Sequence, residues 1–150
     1  MKITELTLDA LQSIILRDLD KLASELSLYP KEELIWAVKG DIKNPAGNLC
    51  LHLCGNLQHY IGAVLGESGY IRNRDNEFAA KNISRSNLLK EIAKTKKMLQ
   101  ETLPTITEEQ LQSNYPIDVL GSPMTTLFFL LHLTSHLGYH LGQVNYHRRL

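Results

Sequence analysis

The segment LLHLTSHLGYHLGQ, residues 130–143, spaces His132, His136 and His140 four residues apart within a mostly apolar run. An α-helix turns about 100° per residue, so each four-residue step rotates by about 40° and the three imidazoles share one side. Leucines occupy the adjoining sector, which is the spacing of a helix that packs against a core. The segment therefore predicts a largely buried helix with a histidine stripe at the edge of its apolar face.

The surrounding region contains no Asp, Glu, Lys or Arg from Pro123 to His147, a length sufficient to cross a bilayer. Its four histidines, together with Ser, Thr, Asn and Gln side chains, are costly in lipid unless each finds a partner. A buried helix of a water-soluble bundle explains this composition better, and no membrane partner is expected.

Apolar residues at helical spacing predict four long helices and no strand of useful length. The expected ranges of these helices are residues 5–28, 45–65, 87–103 and 123 onward. Their expected caps are Asn44 before Pro45, Ser86, and Ser122 before Pro123. Short helical turns are expected at residues 32–36 and after Thr107, and residues 66–84 are interpreted as a long polar link. The predicted fold is an all-α four-helix bundle with a short extra helical turn before the last helix.

Length and composition narrow the class of protein. The chain has 150 residues and a formal net charge of zero, so we expect one domain over residues 1–150. The zero net charge argues against nucleic-acid binding, which needs clustered Lys or Arg. Acidic residues interrupt the N-terminal segment where a signal peptide would be apolar. Cys50 and Cys54 are expected to be buried, reduced thiols, which agrees with a cytoplasmic location.

Histidines on two predicted helices suggest a metal site. A pair at i and i+4 can bind one ion together with a third imidazole from a facing helix, and such a site leaves a coordination position open. The last helix supplies the pair, and the second helix supplies either His52 or His59, which lie on one face about 10 Å apart along the axis. Spacing alone does not decide between these two. The cysteines lie on the far side of the second helix from His52 and are not expected to be ligands.

Three stretches of the chain resemble the DinB superfamily. They are GNLCLHLCGNLQHYIGAVLG at 47–66, RNRDNEFA at 72–79 and LLHLTSHLGYHLGQVNYHRR at 130–149. The resemblance covers the chain from the second helix onward. It implies a four-helix bundle in up-down-down-up order, a homodimer, and a divalent metal site formed by His52, His136 and His140.

The resemblance also suggests which residues surround the ion. Asn56, His132, Tyr139, Gln143 and Arg74 are candidates for contacts with a substrate or with the ligands. The polar link carries charged residues that form either surface ion pairs or a grip on a substrate carboxylate; these are Arg72, Arg74, Asp75 and Glu77. His147 lies in the basic tail YHRRL and is expected to be exposed.

Two functions follow from the resemblance. In the first, the protein is a metal-dependent transferase whose ion activates a low-molecular-weight thiol such as bacillithiol or mycothiol. In the second, it is a non-catalytic, stress-associated module in which the ion has a structural role. Imidazole ligands suit zinc, nickel and iron alike, so the metal is not identified. The expected homodimer has Leu51, Ile61 and Phe128 as candidates for its apolar contact.

Overall fold

The computed structural model describes residues 1–150 and contains six α-helices and no β-strand. The helices are α1 (Ile3–Leu28), α2 (Ala46–Leu57), α3 (Arg74–Ala79), α4 (Arg85–Thr102), α5 (Glu108–Gln112) and α6 (Thr126–Arg149). Short 3-10 turns occur at Glu32–Trp36 and Leu103–Thr105, and a π-helix, Gln58–Ala63, continues α2. The all-α prediction is confirmed, as are the turn at residues 32–36 and the short helix after Thr107.

The four longest helices contact one another in a closed ring. Helix α1 packs against α4 and α6, and α2 packs against the same two helices. The C-terminal ends of α1 and α6 lie together, because Arg148 Nε donates to Glu25 Oε2 at 2.5 Å. The C-terminal end of α1 also meets the N-terminal end of α4, where Arg85 Nη2 donates to the carbonyl of Tyr29 at 2.7 Å.

One face of α1 supplies a large part of the core. Its buried apolar residues are those that the helical spacing predicts: Leu8, Leu11, Ile15, Leu19, Leu22 and Leu26. Each fully buried leucine or isoleucine contributes about 2 kcal/mol of burial free energy. Helix α1 packs against α6, so it helps to position the helix that carries the histidine stripe.

The second helix begins later than expected and changes its winding. Pro45 has ψ 168°, which is extended backbone, so it precedes the helix and is not its first residue, and Asn44 does not cap it. Residues 58–63 wind as a π-helix in place of the expected α-helix to Leu65. Within this segment Tyr115 Oη donates to the carbonyl of Tyr60 at 2.6 Å, which ties the π-helix to the chain that precedes α6.

The polar link contains a helix that the sequence analysis does not predict. Asn73 caps α3, since its Oδ1 accepts from the Asn76 backbone N–H at 3.1 Å. The expected cap of the next helix, Ser86, is also wrong by two residues. Ser84 Oγ accepts from the Asn87 backbone N–H at 3.1 Å, and α4 starts at residue 85.

The expected start of α6 at Ser122 and Pro123 is wrong as well. Backbone pairing holds the preceding residues extended: Tyr115 N–H donates to the carbonyl of Met124 at 2.8 Å, and Thr126 N–H donates to Ser113 at 2.9 Å. The helix therefore begins only after these bonds, and Thr125 caps it. Local sequence contains a good cap at Ser122, but long-range hydrogen bonds override it.

Two burial predictions also fail. His147 is only 8% exposed, because it lies against the C-terminal end of α1 and the following connector. Ile61 is fully buried and is not available to a partner chain. Cys50 and Cys54 are buried free thiols as expected, and a side-chain hydrogen bond with Cys54, together with burial, raises the pKa of Cys50. None of the helices combines the length and apolar character needed to span a bilayer.

Candidate metal centre

Three imidazoles from two helices converge on one point. His136 Nε2 lies 3.2 Å from His52 Nε2 and 3.1 Å from His140 Nε2. Two nitrogens bound to one tetrahedral ion at about 2.0 to 2.1 Å would lie about 3.3 Å apart, so the observed spacing matches shared coordination. The ligand atoms of these three residues all lie within 4.8 Å of one another, close enough to hold one metal ion.

The local sequence explains why two of the three rings lie together. His136 and His140 are one turn apart on α6, so their rings necessarily share a face. His52 comes from α2, 84 residues earlier than His136, and reaches them because α2 packs against α6. His59, the alternative third ligand, lies edge-on to the Tyr60 ring and does not join the group. Burial, and next the charge of Arg72, lower the pKa of His59.

The hydrogen bonds on the far side of two rings determine their tautomers. His52 Nδ1 faces Glu77 Oε1 at 3.1 Å, and His140 Nδ1 faces Gln143 Oε1 at 2.7 Å. Carboxylate and amide oxygens accept hydrogen bonds, so both Nδ1 atoms donate. The Nε2 atoms of His52 and His140 therefore carry lone pairs that point toward His136.

These lone pairs fit a cation better than they fit one another. His136 Nε2 can donate at most one hydrogen, so it can satisfy only one of its two neighbours. A divalent ion at the common point would accept all three lone pairs at once. His136 Nδ1 is then the hydrogen-bearing nitrogen, and it is buried without a partner in the chain. The donor set thus suits a divalent metal ion of the type that binds imidazole.

Electrostatics keep the rings in their metal-binding form. Burial, followed by the imidazoles of His140 and His52, lowers the pKa of His136 to about 4. Burial also lowers the pKa of His140, although Gln143 opposes this. Neutral imidazole is the form that coordinates a metal, so little proton release is needed at neutral pH.

A buried ion pair supports the His52 ring. Glu77 is 6% exposed, and its two carboxylate oxygens accept from Arg72 Nε and Nη2, each at 2.9 Å. Burial raises the pKa of Glu77, but hydrogen bonds from His52 and Arg72 outweigh it and hold the pKa below its usual value. The carboxylate is therefore ionised where it meets His52.

The remaining candidate residues lie around the triad in different ways. His132 is exposed and stacks on Phe129, with ring centroids 5.9 Å apart. Asn56 is buried, and its Oδ1 has no hydrogen-bond partner in the chain. Tyr139 is 66% exposed and lies edge-on to the His140 ring. The three neighbours are close to the site in sequence, but they make no hydrogen bond to the triad.

Among the charged residues of the polar link, Arg72 and Glu77 reach the triad. Arg74 instead lies over the ring of Phe78, with 5.3 Å between its guanidinium carbon and the ring centroid, and Asp75 is exposed. The sequence shows these charges but not which of them turn inward. A signal is present in Asn73, a helix cap within the link, which places Glu77 one turn into a helix.

The chain matches one family model over nearly its whole length. The model is described as "Protein of unknown function (DUF1572)" and matches residues 7–150. No curated protein and no solved structure matches the chain.

Proposed function

The chain belongs to this family of unknown function, DUF1572, and from that membership and the site geometry we propose that it is a divalent-metal-binding protein of the DinB type. His52, His136 and His140 are the proposed ligands. The observation that carries the proposal is the convergence of three Nε2 atoms, two of which bear lone pairs because their Nδ1 atoms donate elsewhere. The resemblance of the histidine pattern to the DinB superfamily supports the same assignment.

An ion held by three imidazoles keeps a coordination position for a water molecule or a substrate. When bound, such an ion lowers the pKa of a bound water or thiol. A cavity of about 560 Å³ borders this site and gives a small molecule room beside His140 and Gln143. Tyr139 and Leu49 also line the cavity, so it offers both aromatic and aliphatic contact.

The proposed activity is transfer of a low-molecular-weight thiol to an electrophile. The protein would contribute the ligands that hold the ion and, beside them, a cavity whose wall includes Tyr139 and Leu49. Neither free cysteine takes part, because both are buried within α2. The alternative function is a module in which the ion ties α2 to α6, since the ligands come from these two helices alone.

The proposed architecture is a single domain over residues 1–150 with four helices in up-down-down-up order. The helix ends support this order: α1 and α6 end together, and α1 ends where α4 begins. One continuous cluster of 29 buried apolar residues, which runs from Leu8 to Val144, supports the single domain. The cytoplasmic location stays a prediction.

We also propose that two copies associate through the outer face of α6. Phe128 and Leu131 on this helix are 55% and 53% exposed, although both are large apolar side chains. Leu51, another candidate for the contact, is half-buried. Sedimentation analysis of the wild-type protein and of Leu131→Glu tests this: we expect a dimer that the glutamate dissociates, and a wild-type monomer contradicts it.

Metal content is the direct test of the main proposal. Protein purified without a histidine tag should contain about one divalent ion per chain, as measured by mass spectrometry of the metal. His136→Ala should remove the ion, because it removes the imidazole nearest the other two. His132→Ala is the matched control, since it removes an exposed imidazole one turn away. Equal metal content in wild type and His136→Ala would contradict the proposal.

Chelation and turnover separate the two functions. A metal-dependent transferase should conjugate a thiol to a simple electrophile, lose this activity with a chelator, and regain it when the ion is restored. A structural module should show no thiol-dependent turnover and a large fall in melting temperature on chelation. Both measurements use the same tag-free protein.

A further inference from the structure

We propose that Glu77 is a positioning residue that fixes the ring of His52 for metal binding, and that Arg72 holds Glu77 in place. The inference rests on the proposed function, because it concerns how one metal ligand is oriented. It assigns a role to α3, a short helix that supplies no ligand of its own. It also explains why two charged side chains lie buried beside an imidazole.

Both oxygens of the Glu77 carboxylate accept hydrogen bonds from neighbouring side chains. Oε1 accepts from His52 Nδ1 at 3.1 Å and from Arg72 Nη2 at 2.9 Å, and Oε2 accepts from Arg72 Nε at 2.9 Å. The forked guanidinium fixes the plane of the carboxylate, since two parallel bonds define an orientation. A carboxylate held in this way can present one oxygen to His52 in a single geometry.

The backbone of α2 and α3 is built to accommodate this carboxylate. A Cβ atom on Gly55 would lie 1.9 Å from Glu77 Oε2, so any larger residue there would displace the side chain. Asn48 Nδ2 donates to the carbonyls of Glu77 at 3.0 Å and Ala80 at 2.9 Å, which fastens the end of α3 to α2. The position of Glu77 is therefore determined at both its side chain and its main chain.

Arg72 cannot take over the role of Glu77. Its Nη2 lies 3.4 Å from His52 Nδ1, and both atoms carry hydrogens in the arrangement described above. Without the carboxylate these two donors would face each other, and the imidazole would rotate or change tautomer. A hydrogen-bond acceptor behind a metal-bound histidine is known to orient the ring and raise its basicity, and its loss lowers metal affinity about 10- to 100-fold.

The test measures metal affinity in Glu77→Gln, which has nearly the shape of the wild-type side chain but replaces one of its two accepting oxygens with an NH2 donor, so it cannot accept from both groups of Arg72 and from His52. Wild type, Glu77→Gln and Asp75→Asn are stripped of metal and titrated with Zn²⁺ by calorimetry. We expect Glu77→Gln to bind about 10-fold or more weakly. Asp75→Asn should bind as wild type does, because it removes an exposed carboxylate of the same helix.

A second measurement distinguishes positioning from general stabilisation. The visible absorption bands of bound Co²⁺ report ligand geometry, so they should change in Glu77→Gln and stay unchanged in Asp75→Asn. Arg72→Met should weaken binding in the wild-type background and have little further effect in the Glu77→Gln background, because Arg72 acts through Glu77. If Glu77→Gln does not fold, Arg72→Lys decides the question, since lysine keeps the charge but loses the fork.

The outcomes separate this inference from the proposed function. Wild-type protein that binds no ion would remove the proposed function and the inference together. Wild-type binding with unchanged affinity and Co²⁺ spectrum in a folded Glu77→Gln, or in Arg72→Lys where that variant is needed, would overturn only the inference. Weaker binding with an altered spectrum supports it.

Discussion

Helix α6 carries two histidine environments that differ in which hydrogen-bond partners the ring nitrogens have. At its C-terminal end, His147 Nδ1 accepts from Tyr29 Oη at 2.5 Å, and Nε2 donates to the carbonyl of Ala37 at 2.8 Å. Near its middle, His136 and His140 direct Nε2 toward each other and toward His52. The His147 ring therefore has one donor and one acceptor as partners. In the second environment, three Nε2 atoms face one another.

The difference separates a histidine that stabilises the fold from histidines that can bind an ion. A neutral imidazole with one donor and one acceptor partner is satisfied by the protein alone. In the triad, Glu77 and Gln143 satisfy the outer nitrogens of His52 and His140, but the nitrogens at the centre have only one another. His147 is therefore a structural residue, and His136 and His140 are proposed ligands, although all three lie on one helix.

Removal of a triad imidazole should give the largest effect. His140→Ala should lower Zn²⁺ affinity more than about 100-fold, because loss of a ligand exceeds the loss expected for a supporting residue. The stability of the metal-free protein should change little, since His140 lies at the half-exposed edge of the helix. Calorimetry and urea unfolding measure the two quantities. A large fall in metal-free stability with unchanged Zn²⁺ affinity would show that His140 is a structural residue and not a ligand.

Removal of His147 should give the opposite pattern. His147→Ala leaves the Tyr29 hydroxyl and the Ala37 carbonyl without partners, and each unpaired buried group costs about 1 to 3 kcal/mol. We expect a loss of about 2 kcal/mol or more in the free energy of unfolding, with Zn²⁺ affinity unchanged. The same urea and calorimetric experiments apply, and weaker zinc binding would show that the two environments are coupled.

A smaller effect is expected from Gln143, which supports His140 from the outer side. Gln143→Leu removes the acceptor for His140 Nδ1 and should lower Zn²⁺ affinity about 10-fold. His140 lies nearer solvent than His52, so water can replace part of this bond. Tyr29→Phe makes the matched change at His147 and should leave the affinity at its wild-type value. Equal losses in the two variants would contradict the distinction between the environments.

The last effect concerns the stability of the metal-free protein in acid. The pKa of His136 is about 4 in the folded chain, below the usual 6.5. Between these values the unfolded chain binds more protons, so stability should fall as pH drops from about 6.5 toward about 4. Urea unfolding of chelator-treated protein at several pH values measures this slope. His136→Gln should flatten it, and an equal slope in both proteins would contradict the assignment.

The sequence predicts much of the fold because helix formation depends on local spacing. The apolar stripe of α1 and the paired imidazoles of α6 are both periodic patterns within one helix. Helix starts are less predictable, since several residues compete as caps. Thr125 caps α6 in place of Ser122 because long-range backbone hydrogen bonds at Met124 and Thr126 hold the preceding chain extended, and Ser84 caps α4 in place of Ser86.

Sequence alone therefore determined the all-helical class, the short helix after Thr107 and the pair formed by His136 and His140, which are set within a few residues of chain. Only the tertiary structure decided that His52 joins this pair, that Glu77 supports it, and that His147 is buried. The contacts concerned join residues 84, 25 and 118 positions apart. Their geometry depends on how helices pack, and no local pattern of side chains specifies that packing.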